Sequence, residues 1–337
     1  MNRIDTQSLK KDWFNQKVFP PQVLEWIERE NLWNLWVPKD FGGLEYSLND
    51  GLRQLQTLAR IDGSLGWTVT LCSGANYFIG NLQPAVAHEI FLKSETPVCF
   101  GGSGGVFGTA EKQGDSYRIS GTWRYATGAN YLSHFTLNAH ITQNNQKCYH
   151  QDGTPLIRSF LVPRKDVEIL PDWESMGLKA TVTHSFAVKD KLIDQRYSFH
   201  YDENYLPHSI FQVPFGIFTD LTLWVNYLGM AEHFVEKAAI SSAPDQLNAF
   251  EKHLEVSQEE VAFFSLDVEN KIANNQDFSE NYADQLHQTA SQSIREISKM
   301  IIQVFPTLGM KASREGHPLN TIFKDYFTAT QHRNFSS

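Results

Sequence analysis

The sequence predicts an α+β protein built in three zones: helices, then strands, then a helical bundle. Three observations carry this. Apolar residues recur at helical spacing up to about residue 95. From 96 to about 205 the apolar runs shorten, fill with β-branched and aromatic residues, and alternate with turn-forming tracts. From 206 to 337 the helical period returns in long segments. The expected domains are 1–95, 96–205 and 206–337. Strands and helices do not alternate, which argues against a doubly wound nucleotide-binding sheet.

In the first zone, Leu24, Trp26, Ile27, Leu32 and Trp36 define a helical run that Pro38 and FGG at 41–43 stop. Leu48, Leu52, Leu55 and Leu58 define a second helix. Residues 64–82 are apolar almost all round, as in a helix buried between neighbours. Residues 83–90 form a short helix behind Pro84. In the second zone, PVCF, YRIS, FTLNAHI, IRSFLV, VEIL and HSFAV read as strands of a small barrel or sandwich. GGSGG at 101–105 reads as a loop, since no GxGxxG with a following helix surrounds it. In the third, 214–240, 248–273 and 279–304 are helices, with Asp245, Asn274, Asn275 and Pro306 marking their ends.

Charge narrows the function. The net charge is -9, and all of it falls on residues 202–337, while residues 1–201 are neutral. No basic stripe runs along the chain, so nucleic-acid binding is not expected. Cys72, Cys99 and Cys148 form no CxxC and are expected as free, mostly buried thiols. His134, His140, His184 and His332 show no spacing that demands a metal, so no metal site is expected. No apolar run reaches about 18 residues, so no membrane-spanning helix is expected. MNRIDTQSLKKDWF at the start lacks the apolar core of a signal peptide, and a cytoplasmic protein is expected.

The densest polar and aromatic stretch is SGTWRYATGANYLSH at 120–134. On a regular strand Trp123, Tyr125 and Thr127 would share one face, and Arg124 and Ala126 the other. An aromatic ring beside a threonine hydroxyl suits a flat heteroaromatic ligand. The same pattern also fits an aromatic core strand.

Six segments in order resemble the acyl-CoA dehydrogenase superfamily: VPKDFGG (37–43), LARIDGSLGW (58–67), YRISGTWRYATGANYLSHF (117–135), FLVPRKDVEILPDWESMGLKATVTHSFAV (160–188), NYLGMAEHFVEKA (226–238) and PLNTIFKDYFTATQH (318–332). The resemblance implies an N-terminal helical domain, a middle β-barrel-like domain and a C-terminal four-helix-bundle-like domain that binds flavin. SGxWxYxTG and the final motif lean toward the branch of two-component monooxygenases, which take reduced flavin from a separate reductase and oxygenate small aromatic or apolar substrates. By position the resemblance implies that Trp123, Tyr125, Ala126 and Thr127 lie along FAD or FMN, with Thr181, Thr183 and Lys324 also toward the cofactor. It makes Ser103, in the 102–108 loop, and His332 the candidate catalytic residues. It implies a homo-oligomer, a tetramer or dimer joined through the bundles.

Departures from the family matter equally. No YEGT segment, which carries the glutamate base in many dehydrogenases, follows the last motif before Ser337. α-Proton abstraction needs a base, and Glu232 or Glu236 would have to serve. Lys324 stands where the family's RD arginine stands, and Val182 occupies a glycine position. Acyl-CoA dehydrogenation is the alternative activity. A non-catalytic scaffold is a third reading, and it requires a flavin pocket packed shut around Val182 and Ala126. Segments 64–82 and 208–227 are expected to line the cavity of an oxygenase.

Overall fold

The computed structural model of the protein describes residues 16–240 and 247–335. The opening MNRIDTQSLKKDWF and the boundary residue Asp245 lie outside the described residues.

Helix α1 (Pro21–Arg29) begins with proline at its first position, where a missing N–H costs nothing. It stops earlier than the apolar spacing predicts. Asn31 adopts a left-handed φ of 56°, and only a 3₁₀ turn, Leu32–Asn34, continues toward Trp36. Helix α2 (Leu48–Ile61) is capped by Ser47, which accepts from the Asp50 N–H at 3.1 Å. Helix α3 (Gly63–Asn76) follows directly, capped by Asp62, which accepts from the Leu65 N–H at 2.9 Å. It is buried on nearly every side, as its unbroken apolar run implies. Helix α4 (Pro84–Leu92) closes the first zone.

Eight strands then form one sheet: β1 (Phe100–Gln113), β2 (Ser116–Ala126), β3 (His134–Gln143), β4 (Gln146–Lys147), β5 (Ile157–Pro163), β6 (Glu168–Leu170), β7 (His184–Asp194) and β8 (Ser198–Phe199). Their order is β6-β7-β2-β1-β3-β5-β8, with β4 paired to β3. Only β1 and β3 run parallel.

GGSGG is not a loop. It lies inside β1, paired with β3 from Gly101–Phe135 to Ser103–Leu137. The physical reason is close approach rather than turning. A Cβ on Gly102 would fall 1.8 Å from the Thr136 carbonyl oxygen. Irregular register between Ser103 and Gly108 gives the strand a loop-like composition without breaking it.

The bundle contains α5 (Phe215–Ala238), α6 (Asn248–Ala273), α7 (Glu280–Val304) and α8 (Pro318–Ala329). Helix α5 is its axis. It packs on α6, α7 and α8, and also on α2 and α3 of the first zone. Three sequence zones therefore share one continuous apolar core. Cys72 and Cys99 are buried, Cys148 is half-buried, and all three are free thiols. Among the described residues no helix is long and apolar enough to cross a membrane, and no cluster of three metal-binding side chains occurs.

Candidate active site

A cleft of about 800 Å³ lies between the sheet and the helices. Its size falls in the range of about 300–1,000 Å³ usual for ligand pockets. One wall comes from β1 at Gly101–Gly105 and from the end of β2. The opposite wall comes from Trp67 of α3, Phe78 of the next 3₁₀ turn, and Phe215 and Phe218 of α5. Both helical segments expected to line a cavity do line it. The scaffold reading required this space to be filled, and it is open.

At the end of β2 the strand alternation fails. Pairing with β7 shifts register between Trp123 and Ala126. Trp123 is fully buried beneath the cleft, stacked on Phe186 at 5.6 Å, with Nε1 donating to the Asn138 carbonyl at 2.9 Å. Tyr125 is 47% exposed and lies on the cleft with Arg124 and Thr127. Ala126 is fully buried and does not line it. The expected face of Trp123, Tyr125 and Thr127 therefore does not exist, because the register shift places consecutive side chains on one side. Tyr125 meets Trp173 edge-on at 5.9 Å. Trp173 is held by its Nε1–H to the Leu178 carbonyl at 3.0 Å, and by its backbone N–H to His184 Nδ1 at 3.0 Å.

Three threonines form a directed chain. The Thr181 hydroxyl donates to the Leu178 carbonyl at 2.7 Å. Its only proton is then spent, so Thr183 must donate across the 2.7 Å contact to Thr181. By the same count Thr127 donates to Thr183 across 3.2 Å. Thr127 and Thr183 line the cleft, while Thr181 is fully buried behind them. Thr127 therefore offers the cleft oxygen lone pairs rather than a proton. Val182, between the other two, has φ of +41°, a left-handed conformation strained for a β-branched residue by about 1–3 kcal/mol. A glycine at this position would carry no such strain.

Ser103 lies on the cleft, but its hydroxyl proton is committed to the Arg124 carbonyl at 2.7 Å. Lys324 is not on the cleft. It borders a separate void of about 20 Å³ with Asp62, Lys179 and Asp325. Asp325 accepts from the Leu178 N–H at 2.6 Å, and Thr328 accepts from the Gly177 N–H at 3.0 Å. Burial and the nearby Asp62 carboxylate push Asp325 up to about 8.

His332 lies on the cleft beside Trp67, 5.5 Å edge to face. Burial holds its pKa below the usual histidine range, so the ring is neutral. Its Nδ1 accepts from the Asn334 N–H at 3.4 Å, which leaves the proton on Nε2. His134 is pushed down to about 4 by burial and, with His140 and His184, lies off the cleft. Neither candidate glutamate reaches it. Glu232 accepts from Gln56 at 2.8 Å and from Gln258, and Glu236 pairs with Arg60. Among the described residues lining the cleft none is acidic.

No family model matches the chain. An indole-3-acetate monooxygenase from Acinetobacter baumannii is 23% identical over 94% of this chain and 84% of its own. XiaF from a Streptomyces species, solved with FADH2 and glycerol, superposes with a TM-score of 0.86 at 17% identity, covering 98% of this chain and 89% of its own. TdsC from Paenibacillus, solved with FMN and indole, gives 0.80 at 18% identity over 98% and 92%. The protein has the acyl-CoA dehydrogenase-like fold of these monooxygenases.

In this acyl-CoA dehydrogenase-like fold the cleft residues suit a flavin. Aromatic rings supply a stacking surface, while the glycine-rich β1 backbone and the threonine hydroxyls supply polar contacts to a heteroaromatic edge. Arg124 would supply a cation for a phosphate. The sequence pattern missed Arg124, because a regular strand would turn it away. It also passed over Trp173 and Arg333, which reach the cleft through tertiary packing.

Proposed function

We propose that the protein is the oxygenase component of a flavin-dependent monooxygenase acting on a small aromatic substrate. The carrying observation is an aromatic cleft with no acidic side chain among its described lining residues and with neutral His332 at its helical end. Dehydrogenation of an acyl thioester needs a base at the substrate α-carbon, and Glu232 and Glu236 are both bound elsewhere. The resemblance to an indole-3-acetate monooxygenase, and to a structure holding FMN and indole, supports an aromatic substrate.

Tyr125, Thr127, Thr183 and Arg124 would hold FAD or FMN. Bound reduced flavin supplies the electrons with which O2 is activated and one oxygen atom inserted. The chain's part is placement and exclusion. Trp67, Phe78 and Phe218 offer a flat apolar seat that keeps water from the reacting face. His332 Nε2–H donates to a substrate oxygen and orients the ring. Thr127, as an acceptor, suits a flavin N–H. Neutral reduced flavin carries N–H groups at N1 and N5 that oxidised flavin lacks, so an acceptor here favours the reduced form. A separate reductase supplying that form, a cytoplasmic location and assembly as a homotetramer belong to the same reading. Val256 and Phe263, seven residues apart on α6 and both exposed, are consistent with the assembly.

The test is anaerobic titration with FMNH2 and FADH2, followed by ¹⁸O2 and an indole or phenol panel. Tight binding of reduced flavin and one ¹⁸O per product molecule are expected. Failure to bind either flavin, or reduction of bound flavin by acyl-CoA thioesters, overturns the reading.

A further inference from the structure

The cleft is electrostatically unlike the rest of the chain. The protein carries a net charge of -9, yet the charged side chains among the described lining residues are two arginines, Arg124 and Arg333. Neither guanidinium has a hydrogen-bond or ion-pair partner among the described residues. Several other arginines do: Arg60 pairs with Glu236, Arg118 with Asp190, and Arg196 with Glu89. Both arginines are exposed at the cleft, and an unpaired guanidinium there can take a planar anion.

The two arginines stand on different walls. Arg124 is on β2, beside Tyr125 and the strand that ends at Thr127. Arg333 follows α8, next to His332 and the helical aromatic wall. Its position is fixed from both sides. The Tyr227 hydroxyl donates to the Ala329 carbonyl at 2.7 Å. Asn334 Nδ2 donates to Asp220 at 2.7 Å, and Phe335 lies 5.4 Å from the His287 ring. Asp220 is hydrogen-bonded by Asn334 at 2.7 Å and by His287 at 3.1 Å, and no ion pair joins it to Arg333 among the described residues. A bound flavin would bring a phosphate on its ribityl chain, and Arg124, on the wall with Tyr125 and Thr127, would be the cation available to it. The cation on the helical wall is then left for the second ligand.

We propose that Arg333 reads a carboxylate on the substrate, so that the substrate is an aromatic acid with its ring against Trp67 and its acid group at the cleft mouth. This rests on the oxygenase reading for which ligand occupies which wall. The unpaired cation and the absence of lining acids stand apart from that reading. A cation here also offsets the repulsion that the acidic bundle exerts on an incoming anion.

The test compares indole-3-acetate and phenylacetate with their own uncharged carboxamides. Calorimetric Kd values are measured without flavin and with anaerobic FMNH2, for the wild type, Arg333→Gln and Arg333→Lys. The wild type is expected to prefer each acid to its amide by about tenfold, the worth of one charge-assisted pair. Arg333→Gln is expected to lose that preference, leaving amide and FMNH2 affinities unchanged. Arg333→Lys is expected to keep part of it. Equal binding of acid and amide by the wild type, or binding of neither, overturns the proposal. So does a preference that survives Arg333→Gln. If Arg333→Gln weakens FMNH2 and leaves the acid-to-amide ratio intact, the anion is the flavin phosphate and the proposal also falls. Loss of all flavin binding in the wild type would instead sink the oxygenase reading, since the acid preference without flavin is measured separately.

Discussion

Asp325 on α8 accepts a 2.6 Å hydrogen bond from the backbone N–H of Leu178. This contact docks the 177–183 segment on the bundle, and that segment carries Thr183 into the cleft. The carboxyl is fully buried near Asp62, and its pKa is pushed up to about 8.

The sign of the resulting pH dependence follows. A carboxyl whose folded pKa lies above its unfolded value, about 3.9, binds more protons in the folded state between those two values. Its stabilising share is complete below about pH 4 and is lost as the pH rises through about 8. Urea unfolding midpoints should therefore fall across this window in the wild type. Asp325→Asn, which keeps an acceptor for Leu178, should flatten the fall. Asp325→Ala should cost about 1–3 kcal/mol at low pH, where the carboxyl is protonated, by orphaning the buried N–H, and less as the pH rises through the window.

Gly177 tests the same docking sterically. A Cβ there would lie 2.2 Å from the Lys324 carbonyl carbon and oxygen, which are backbone atoms that cannot turn aside. Gly177→Ala should lower stability by about 1–3 kcal/mol and weaken reduced-flavin binding together with it. A variant as stable as wild type in chemical denaturation would show that α8 does not hold this segment.

The threonine chain makes a prediction about redox preference. If Thr127 is an acceptor because Thr183 and Thr181 take up the protons, wild-type protein binds FMNH2 more tightly than FMN. In Thr181→Val, Thr183 is free to donate to Thr127, and Thr127 can donate into the cleft. The ratio of the two Kd values should shrink by about fivefold, the worth of one hydrogen bond. Fluorescence titration in both redox states reads it directly.

His332→Ala should lower the rate of product formation by about 10²–10⁴-fold, as for loss of a positioned proton donor, with FMNH2 affinity unchanged. Burial lowers the His332 pKa, and the neutral and protonated rings both carry Nε2–H, so the rate should show no acid limb from His332 near the usual histidine value of about 6.5. Glu232→Gln should leave the rate unaltered, because that carboxylate is bound by Gln56 and Gln258 away from the cleft. A large loss of activity in Glu232→Gln would restore the dehydrogenase reading.

The sequence by itself determined the order of helices, sheet and bundle, because periods of 3.6 and 2 are local properties of the chain. Helices α5, α6 and α7 lie within a few residues of the segments 214–240, 248–273 and 279–304. Segments 64–82 and 208–227 were legible as cavity walls because their apolar faces exceed what one neighbour can cover. What only the tertiary structure decided is which side chains reach the cleft. Strand alternation names Trp123 and hides Arg124, yet a register shift against β7 buries the first and presents the second. GGSGG reads as a turn until β3 shows how closely its backbone must approach. Glu232, Lys324 and Ser103 have the right chemistry in the sequence, but partners distant in the chain claim the first and third and place the second elsewhere. Periodicity records how much surface a segment must bury. It carries no record of the partner across a fold, and that partner decides whether a polar atom is spent or left for a ligand.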